Sequence, residues 1–540
     1  MDSAFEVVNR KIQSRELYVS GERGAYWQAS HYSYQNSFTQ IKMQGKLSRP
    51  ISENMGVKQG RNKSSDHYKI YIAPLLDTLE SSNLGVWIGS VNVAVSGTAD
   101  DIYLMADRQS KLQEQINIAK HYGHMYRVTY GATKTKVTVV GSNLDVKYFE
   151  DTSPWVMDGK KLEVSENNEH LGQIISNYDQ EKKNIDLRLQ KGRNCLFSFL
   201  GAGSATKSNM NPVLKLHIYR TYVCPVIRSG LSTFVLRHQL LEPLKIFQRK
   251  TLKSILKLSM TAPTPSIHFL TGELPIEGKI HKDIFSLFFC VWTNPDTKIY
   301  SIVKHLLENN CENSRTWSTH LRFLCSVYGL EDPLLSLQKD PPTKSQFKEL
   351  INTRITAHFE RELRKSASEN SLMQYFNVST LNLRGRHHPA ISGLITARNI
   401  NISKSHLKFL SGNYLTYSIR ARQSNSGSPL CRICNLEEDE TICHIVSRCY
   451  AFQEIRTRFI HEYTQLCMQT KNKIDFIPIM KEDDRFCQFV LDPTSLNLST
   501  RVNISDPLVP HFFQLSRLYC YNLDKRRLQL LQEQSKRINS

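Results

Sequence analysis

The 540-residue chain carries 70 Lys and Arg against 50 Asp and Glu, a formal charge of +20, and an excess of that size points to a polyanionic partner such as nucleic acid. With 40 % hydrophobic residues the chain has material for several folded domains, which excludes a wholly disordered protein. The run Ile284–Trp292 is too short for a bilayer, no lipidation motif supports a membrane surface, and MDSAFEVVNRK lacks a signal-peptide core, so nucleus or cytoplasm is expected, not secretion.

In chain order, the first patterned stretch is SAFEVVNRK, followed by GVKQG from Gly56. Val91, Val93 and Val95 then alternate with polar or small residues, which predicts a strand. Ser96 to Ala99 read as a tight turn and Ile102 to Met105 as a second strand, with Asp100 and Asp101 at the tip of the hairpin. An Asp-Asp pair is most often an ordinary turn. It carries chemistry only where bound cations offset the repulsion of adjacent carboxylates. YRVTYGATKTKVTVVGS from Tyr126 and EHLGQIIS from Glu169 follow.

The charge then concentrates. Residues 179–260 hold 15 Lys and Arg against 4 Asp and Glu, a net of +11. Ile185, Leu189, Gly192, Leu196 and Phe199 recur at helical spacing, and Lys182, Lys183, Arg188, Lys191 and Arg193 crowd the same helix. The block reads as a phosphate-tracking surface. Pro263 and Pro265 break the pattern just beyond it, before LTGELPI. From Gly278 to about Ser379 the chain reads as helices with polar connections, and PPTK and RGRHHP read as loops that place His387 and His388 at the surface.

Cys431, Cys434, His444 and Cys449 form C-x2-C-x9-H-x4-C. Two thiolates at C-x-x-C spacing grip one ion from a tight turn, and a helix carrying H-x4-C completes a closed tetrahedral zinc site. Cys443 is a spare thiol, while Cys195, Cys224 and Cys290 sit in apolar patterns and are expected in the core.

Taken together and in this order, GVKQG, TADD, TKTK and HLG resemble the palm of reverse transcriptases, most closely those of non-LTR (LINE-type) retrotransposons. The resemblance implies metal-binding roles for Asp100 and Asp101, which would hold Mg2+. It places Gln59 and Gly60 beside the incoming base and template, Lys134 on the nucleotide phosphates, and His170, Leu171 and Gly172 in the primer grip. SAFEVV is similar to a further motif of the family, with Phe5 screening the sugar 2′ position. Three departures stand out. The aspartate expected five positions before Phe5 would fall ahead of Met1, Asp2 is on the wrong spacing with Glu6 at the second acid position, and Thr98 replaces a commoner aromatic or cysteine. HIYRTYVCPVIRSG and LEPLKIFQRKTLKSILKLS resemble the thumb helices, and C-C-H-C clusters recur near the carboxy terminus of such proteins.

The expected fold is α+β: an antiparallel palm sheet with backing helices, then a helical thumb, a helical region and a small zinc knuckle. The expected boundaries are 1–178 palm without fingers, 179–260 basic thumb, 261–420 helical region, 421–460 knuckle and 461–540 mixed tail. The expected function is an RNA-directed DNA polymerase fragment acting on RNA template, DNA primer and dNTP with Mg2+ and Zn2+, amino-terminally truncated and inactive for lack of the first aspartate. The alternative is a non-catalytic nucleic-acid-binding remnant that acts through its basic thumb and knuckle. No membrane partner is expected, and the sequence leaves the oligomeric state unknown.

Overall fold

The computed structural model describes residues 5–35, 37–57, 63–141, 143–200, 210–309, 315–380, 382–394, 396–424, 427–434, 436–469, 476–494 and 508–539. The protein is α+β and mainly helical. It has two compact units, residues 1–183 with 294–311 and residues 184–293 with 312–540. Among the described residues, no helix is long and apolar enough to cross a membrane.

In the first unit, the helices Ser64–Ser81 and Gln109–Tyr126 form the core. Tyr71, Leu75 and Leu79 from the first meet Ala119, Tyr122 and Tyr126 from the second, and Val8, Val57 and Val95 are buried in the same cluster. The Tyr71 hydroxyl donates to the Tyr126 carbonyl, and the Tyr122 hydroxyl donates to the Tyr71 carbonyl. Each tyrosine thus buries a large ring while its polar tip is satisfied. A second cluster gathers Ile116, Val137, Trp155, Met157 and Leu162. Asn9 caps the helix Arg10–Val19 by accepting from the Lys11 and Ile12 N–H groups.

The chain around Phe5 lies against the start of GVKQG. Val57 donates to the Phe5 carbonyl at 2.8 Å and Gly56 to the Val8 carbonyl at 2.9 Å. Gly56 has φ +82°, and a β-carbon there would stand 2.8 Å from the Glu6 carbonyl oxygen, so only glycine permits this approach.

The expected single antiparallel palm sheet is instead a set of separate two-stranded pairs, one of them, Lys136–Val137 with Glu163–Val164, parallel. Each strand has only two to four residues, and Gly89 falls in the turn between Val86–Ile88 and Val91–Val93. Val91–Val93 pairs back on Val86–Ile88 and does not extend into the next hairpin.

The helix Gln180–Leu200 carries the chain from the first unit into the second. Ile185, Leu189 and Gly192 are buried as their spacing predicts, while Phe199 is exposed and stacks on Tyr222 at 4.5 Å. A β-carbon on Gly192 would meet the Ile227 side chain at 2.6 Å. Of the cysteines expected in the core, Cys224 is buried, Cys195 is half-buried and Cys290 is exposed.

The second unit is built on His238–Leu256, Ile276–Trp292 and Lys344–Ser368, then on the 31-residue helix Val509–Asn539, which packs along Ala397–Leu410 and Gln453–Gln469. RGRHHP is not a free surface loop. His388 donates from its backbone to the Leu270 carbonyl at 2.9 Å, and Gly385 to the Gly272 carbonyl at 3.0 Å, which docks the loop on LTGE. His388 is therefore buried, its ring between Phe376 and Phe513 and its Nε2 3.5 Å from the buried Asp492.

Candidate functional site

The hairpin pairs Val95–Thr98 with Asp101–Leu104 and sets Thr98 opposite Asp101. Its connecting residues are Ala99 and Asp100, so the turn lies later than Ser96–Ala99. Ala99 takes φ +54°, in the left-handed region that a β-carbon disfavours. Asp100 is half-buried and Asp101 exposed. Tyr68, on the helix behind, has its phenol pKa raised, first by burial and next by the Asp100 charge. The Phe5 ring stacks on Tyr68 with centroids 4.8 Å apart. Phe5 and Asp100 thus approach the same tyrosine from different segments.

A cavity of about 610 Å3 opens in front of the hairpin, lined among others by Asp100, Asp101, Lys134, Asn168, Glu169 and His170. Lys134 sits on a turn in which its own N–H and that of Thr135 both donate to the Gly131 carbonyl. His170 ends the strand Asn167–His170, which returns as Gln173–Ser176. Leu171 and Gly172 make the connection with φ +49° and +76°, the positive pair a two-residue hairpin turn needs. The His170 ring stacks on Tyr103 of the acidic hairpin at 5.2 Å, fixing one hairpin beside the other. Gln59 and Gly60 lie outside the described residues.

The donor set that the described residues bring to this cleft does not complete a two-magnesium site. Phosphoryl transfer by two ions needs several oxygen ligands held around both. Among the described residues, no third Asp, Glu, His or Cys gathers with Asp100 and Asp101 in metal-binding geometry.

The five basic residues chosen on the helix Gln180–Leu200 differ in fate. Lys182 and Arg193 are exposed and Lys191 is half-buried. Lys183 is a staple, not a phosphate ligand, since its ammonium reaches Glu166 at 2.5 Å, Asn167 at 2.8 Å and Ser176 at 2.9 Å, which uses all three donors. Arg188 is buried among the apolar stripe, because its spacing from Ile185 and Gly192 puts it on the same face. Elsewhere in the basic block, Arg220, Arg228 and Lys245 pair with Glu273, Asp283 and Glu277, acids that follow the block in sequence. Part of the +11 excess is thus neutralised within the fold.

Cys431, Cys434, His444 and Cys449 come together, their ligand atoms all within 4.8 Å of one another. The first two lie at the tip of a small hairpin, where Leu430 bridges Asp439 and the Cys431 N–H donates to the Glu438 carbonyl at 2.8 Å. The other two flank one π-helical turn, His444–Arg448, closed by the Cys449 N–H on the His444 carbonyl at 2.7 Å. A π turn brings residues five apart to the same side, which suits H-x4-C. Tetrahedral zinc with Zn–S near 2.3 Å separates its sulfurs by roughly 3.8 Å, and the cluster fits this spacing. It can hold a metal such as zinc.

His444 points Nε2 at Cys434 Sγ, 3.3 Å away, and places Nδ1 3.0 Å from Glu438 Oε2. A carboxylate behind a ligand histidine fixes its tautomer and raises its basicity. Cys443 faces elsewhere, with Sγ 3.2 Å from Ser447 Oγ.

The sequence reading missed Glu438, Tyr68 and Tyr103. Glu438 had a signal, an acid within the metal loop. The tyrosines had none, since their roles come from tertiary packing. Neither a protein-family model nor a curated protein matches the chain.

Proposed function

We propose that the chain is a nucleic-acid-binding protein of the non-LTR reverse transcriptase type, with a polymerase palm whose described residues do not complete a magnesium site and a zinc knuckle formed by Cys431, Cys434, His444 and Cys449. One observation carries the reading. Asp100 and Asp101, Lys134 and His170, picked from three separate segments of sequence, line one cavity of about 610 Å3.

In this reading a primer–template lies along the cleft. Lys134 supplies a cation to phosphate oxygens, His170 and Asn168 supply polar contacts, and the exposed Leu171 at the hairpin tip offers an apolar surface to a base or sugar. Mg2+ would bring charge neutralisation and an activated primer oxygen if its ligand set were complete. Among the described residues no third side chain gathers with the two carboxylates in metal-binding geometry, and in this reading the described cleft holds nucleic acid without extending it.

The test is binding of a labelled RNA–DNA primer–template in magnesium-free buffer. Two carboxylates that face a phosphate backbone weaken its binding, so Asp100→Asn with Asp101→Asn should raise affinity, and Lys134→Ala should lower it. No binding, or binding indifferent to all three substitutions, removes the reading.

A further inference from the structure

A second cavity, of about 340 Å3, lies in the other unit, far along the chain from the palm. Ser392, Arg398, Asn399, His511, Gln514 and Arg517 supply its polar lining, and among the described residues no Asp or Glu lines it. Arg398 and Asn399 belong to the first turn of Ala397–Leu410, and His511 to the first turn of Val509–Asn539. Two helices therefore present the positive ends of their dipoles to one space.

Arg517 makes this more than a meeting of helix ends. The residue as a whole is only 7 % exposed. Nη2 donates to the carbonyls of Ala390 at 3.0 Å and Ser392 at 2.7 Å, with Pro389 at 3.4 Å. Nε is buried without a hydrogen-bond partner, and no described carboxylate lies within ion-pair distance. Carbonyl dipoles satisfy one nitrogen and leave the unit charge uncompensated, and a buried charge without a counter-ion is costly. Burial alone pushes the guanidinium pKa down to about 10, the direction expected where no acid is near. Arg398 stands exposed at the rim with no described acid paired to it.

We propose that this cavity binds a phosphate group, with Arg517 as the buried counter-charge and Arg398 as the rim ligand. A water molecule in the liquid occupies about 30 Å3, so the space admits a phosphate ester with part of the group that carries it. The phosphate source is either a nucleic-acid end or a small phosphorylated molecule. The proposal uses no feature of the palm and is tested without template or primer.

The experiment is thermal unfolding of the full chain with inorganic phosphate against chloride at matched ionic strength. Phosphate should raise the midpoint in a saturable way. Arg398→Gln, at an exposed position that leaves the core intact, should weaken apparent phosphate affinity roughly tenfold, the scale of one charge-assisted hydrogen bond. Arg517→Gln should weaken it more, and Arg517→Lys should recover part of the loss. If Arg517→Gln does not fold, Arg398→Gln and Arg517→Lys decide. A 5′-phosphorylated oligonucleotide that outcompetes its 5′-hydroxyl twin assigns the site to a nucleic-acid end, and equal competition by a nucleoside monophosphate assigns it to a small molecule. A midpoint that moves no further in phosphate than in chloride, or a shift unchanged by Arg398→Gln, overturns the proposal.

Discussion

Arg527 donates from Nε to one oxygen of Glu440 at 2.9 Å and from Nη2 to the other at 2.6 Å, and both side chains are buried. Glu440 stands in the loop between Cys434 and His444, and Arg527 is on the helix Val509–Asn539. The Tyr417 N–H donates to the same carboxylate at 2.7 Å, and the guanidinium lies 5.3 Å from the Tyr414 ring. This pair fastens the Cys3His hairpin to the rest of its unit. Removing one partner strands the other as a buried charge, which costs about 3–5 kcal/mol. Glu440→Gln or Arg527→Met should therefore lower the unfolding midpoint of this unit sharply and loosen the hairpin to proteolysis. Denaturant unfolding and limited proteolysis of each variant measure this. A loss below about 1 kcal/mol, the scale of an exposed pair, would contradict it.

Metal binding should follow the Cys3His set and its carboxylate support. Purified protein should carry one zinc per chain. Cys434→Ser should release it, Cys443→Ser should not, and Glu438→Gln should keep the stoichiometry while weakening affinity about 10–100-fold. Because the ligands must lose protons to bind, affinity should fall as pH falls. Elemental analysis and chelator competition read these outcomes. Loss of zinc in Cys443→Ser with retention in Cys434→Ser would reassign the ligands.

His268 should make its unit acid-sensitive. The ring is fully buried, which pushes its pKa down to about 4, and Nδ1 lies 2.6 Å from the Glu273 carbonyl oxygen. A histidine with a folded pKa below its unfolded value is neutral in the native state. Its contribution is whole above about pH 6.5, declines as pH falls toward 4, and is constant below that. The loss across this window is about 3 kcal/mol for this residue. His281 and His406, both pushed down to about 3 chiefly by burial, add to the same slope. His268→Gln keeps a donor for the carbonyl and removes the proton site, so unfolding free energies at pH 7 and pH 4.5 should differ less than in wild type. An unchanged difference would exclude His268 as a contributor.

How far the sequence reveals these features depends on whether their cause is local. The Cys3His spacing is local chemistry, and all four ligands were legible from it. The acidic hairpin was legible as a strand pair but its turn was not. Ser, Gly and Thr at 96–98 look like turn residues, yet Val95 opposite Leu104 and Gly97 opposite Ile102 set the register and move the turn to Ala99 and Asp100. Arg188 was legible in principle, since the helical period that named Ile185 and Gly192 also includes it. The internal acids that neutralise Arg220, Arg228 and Lys245 lie 32 to 55 residues further along the chain, beyond any local pattern.

Those pairings change what charge reversal should do. Exposed Lys182 and Arg193 are the residues of the helix Gln180–Leu200 that remain available to phosphates. Reversing them should weaken nucleic-acid binding alike for all sequences and flatten the salt dependence by about one ion per contact. Reversing Lys183 or Arg188 should instead lower stability, since one is stapled to Glu166 and the other is buried. Anisotropy titrations at several salt concentrations, paired with melting curves, separate the two effects. If Lys182→Glu with Arg193→Glu leaves both affinity and salt slope unchanged, this helix is not a nucleic-acid surface.

The acidic hairpin gives the sharpest outcome. Asp100 and Asp101 line the cleft, with Lys134 also on its wall. A triphosphate entering with magnesium would find, among the described residues, no third side chain gathered with these two in metal-binding geometry to hold the second ion. Incorporation of labelled dNTP on a primed RNA template with Mg2+ should therefore not exceed that of Asp100→Ala, while the same preparation binds the template. Lys134→Ala should reduce dNTP-dependent protection of the cleft and lower primer–template affinity by no more than the loss of one phosphate contact among the many along a duplex track. Incorporation by the unsubstituted chain that Asp100→Ala abolishes would mean that a carboxylate outside the described residues completes the site, and the protein would then be an active polymerase.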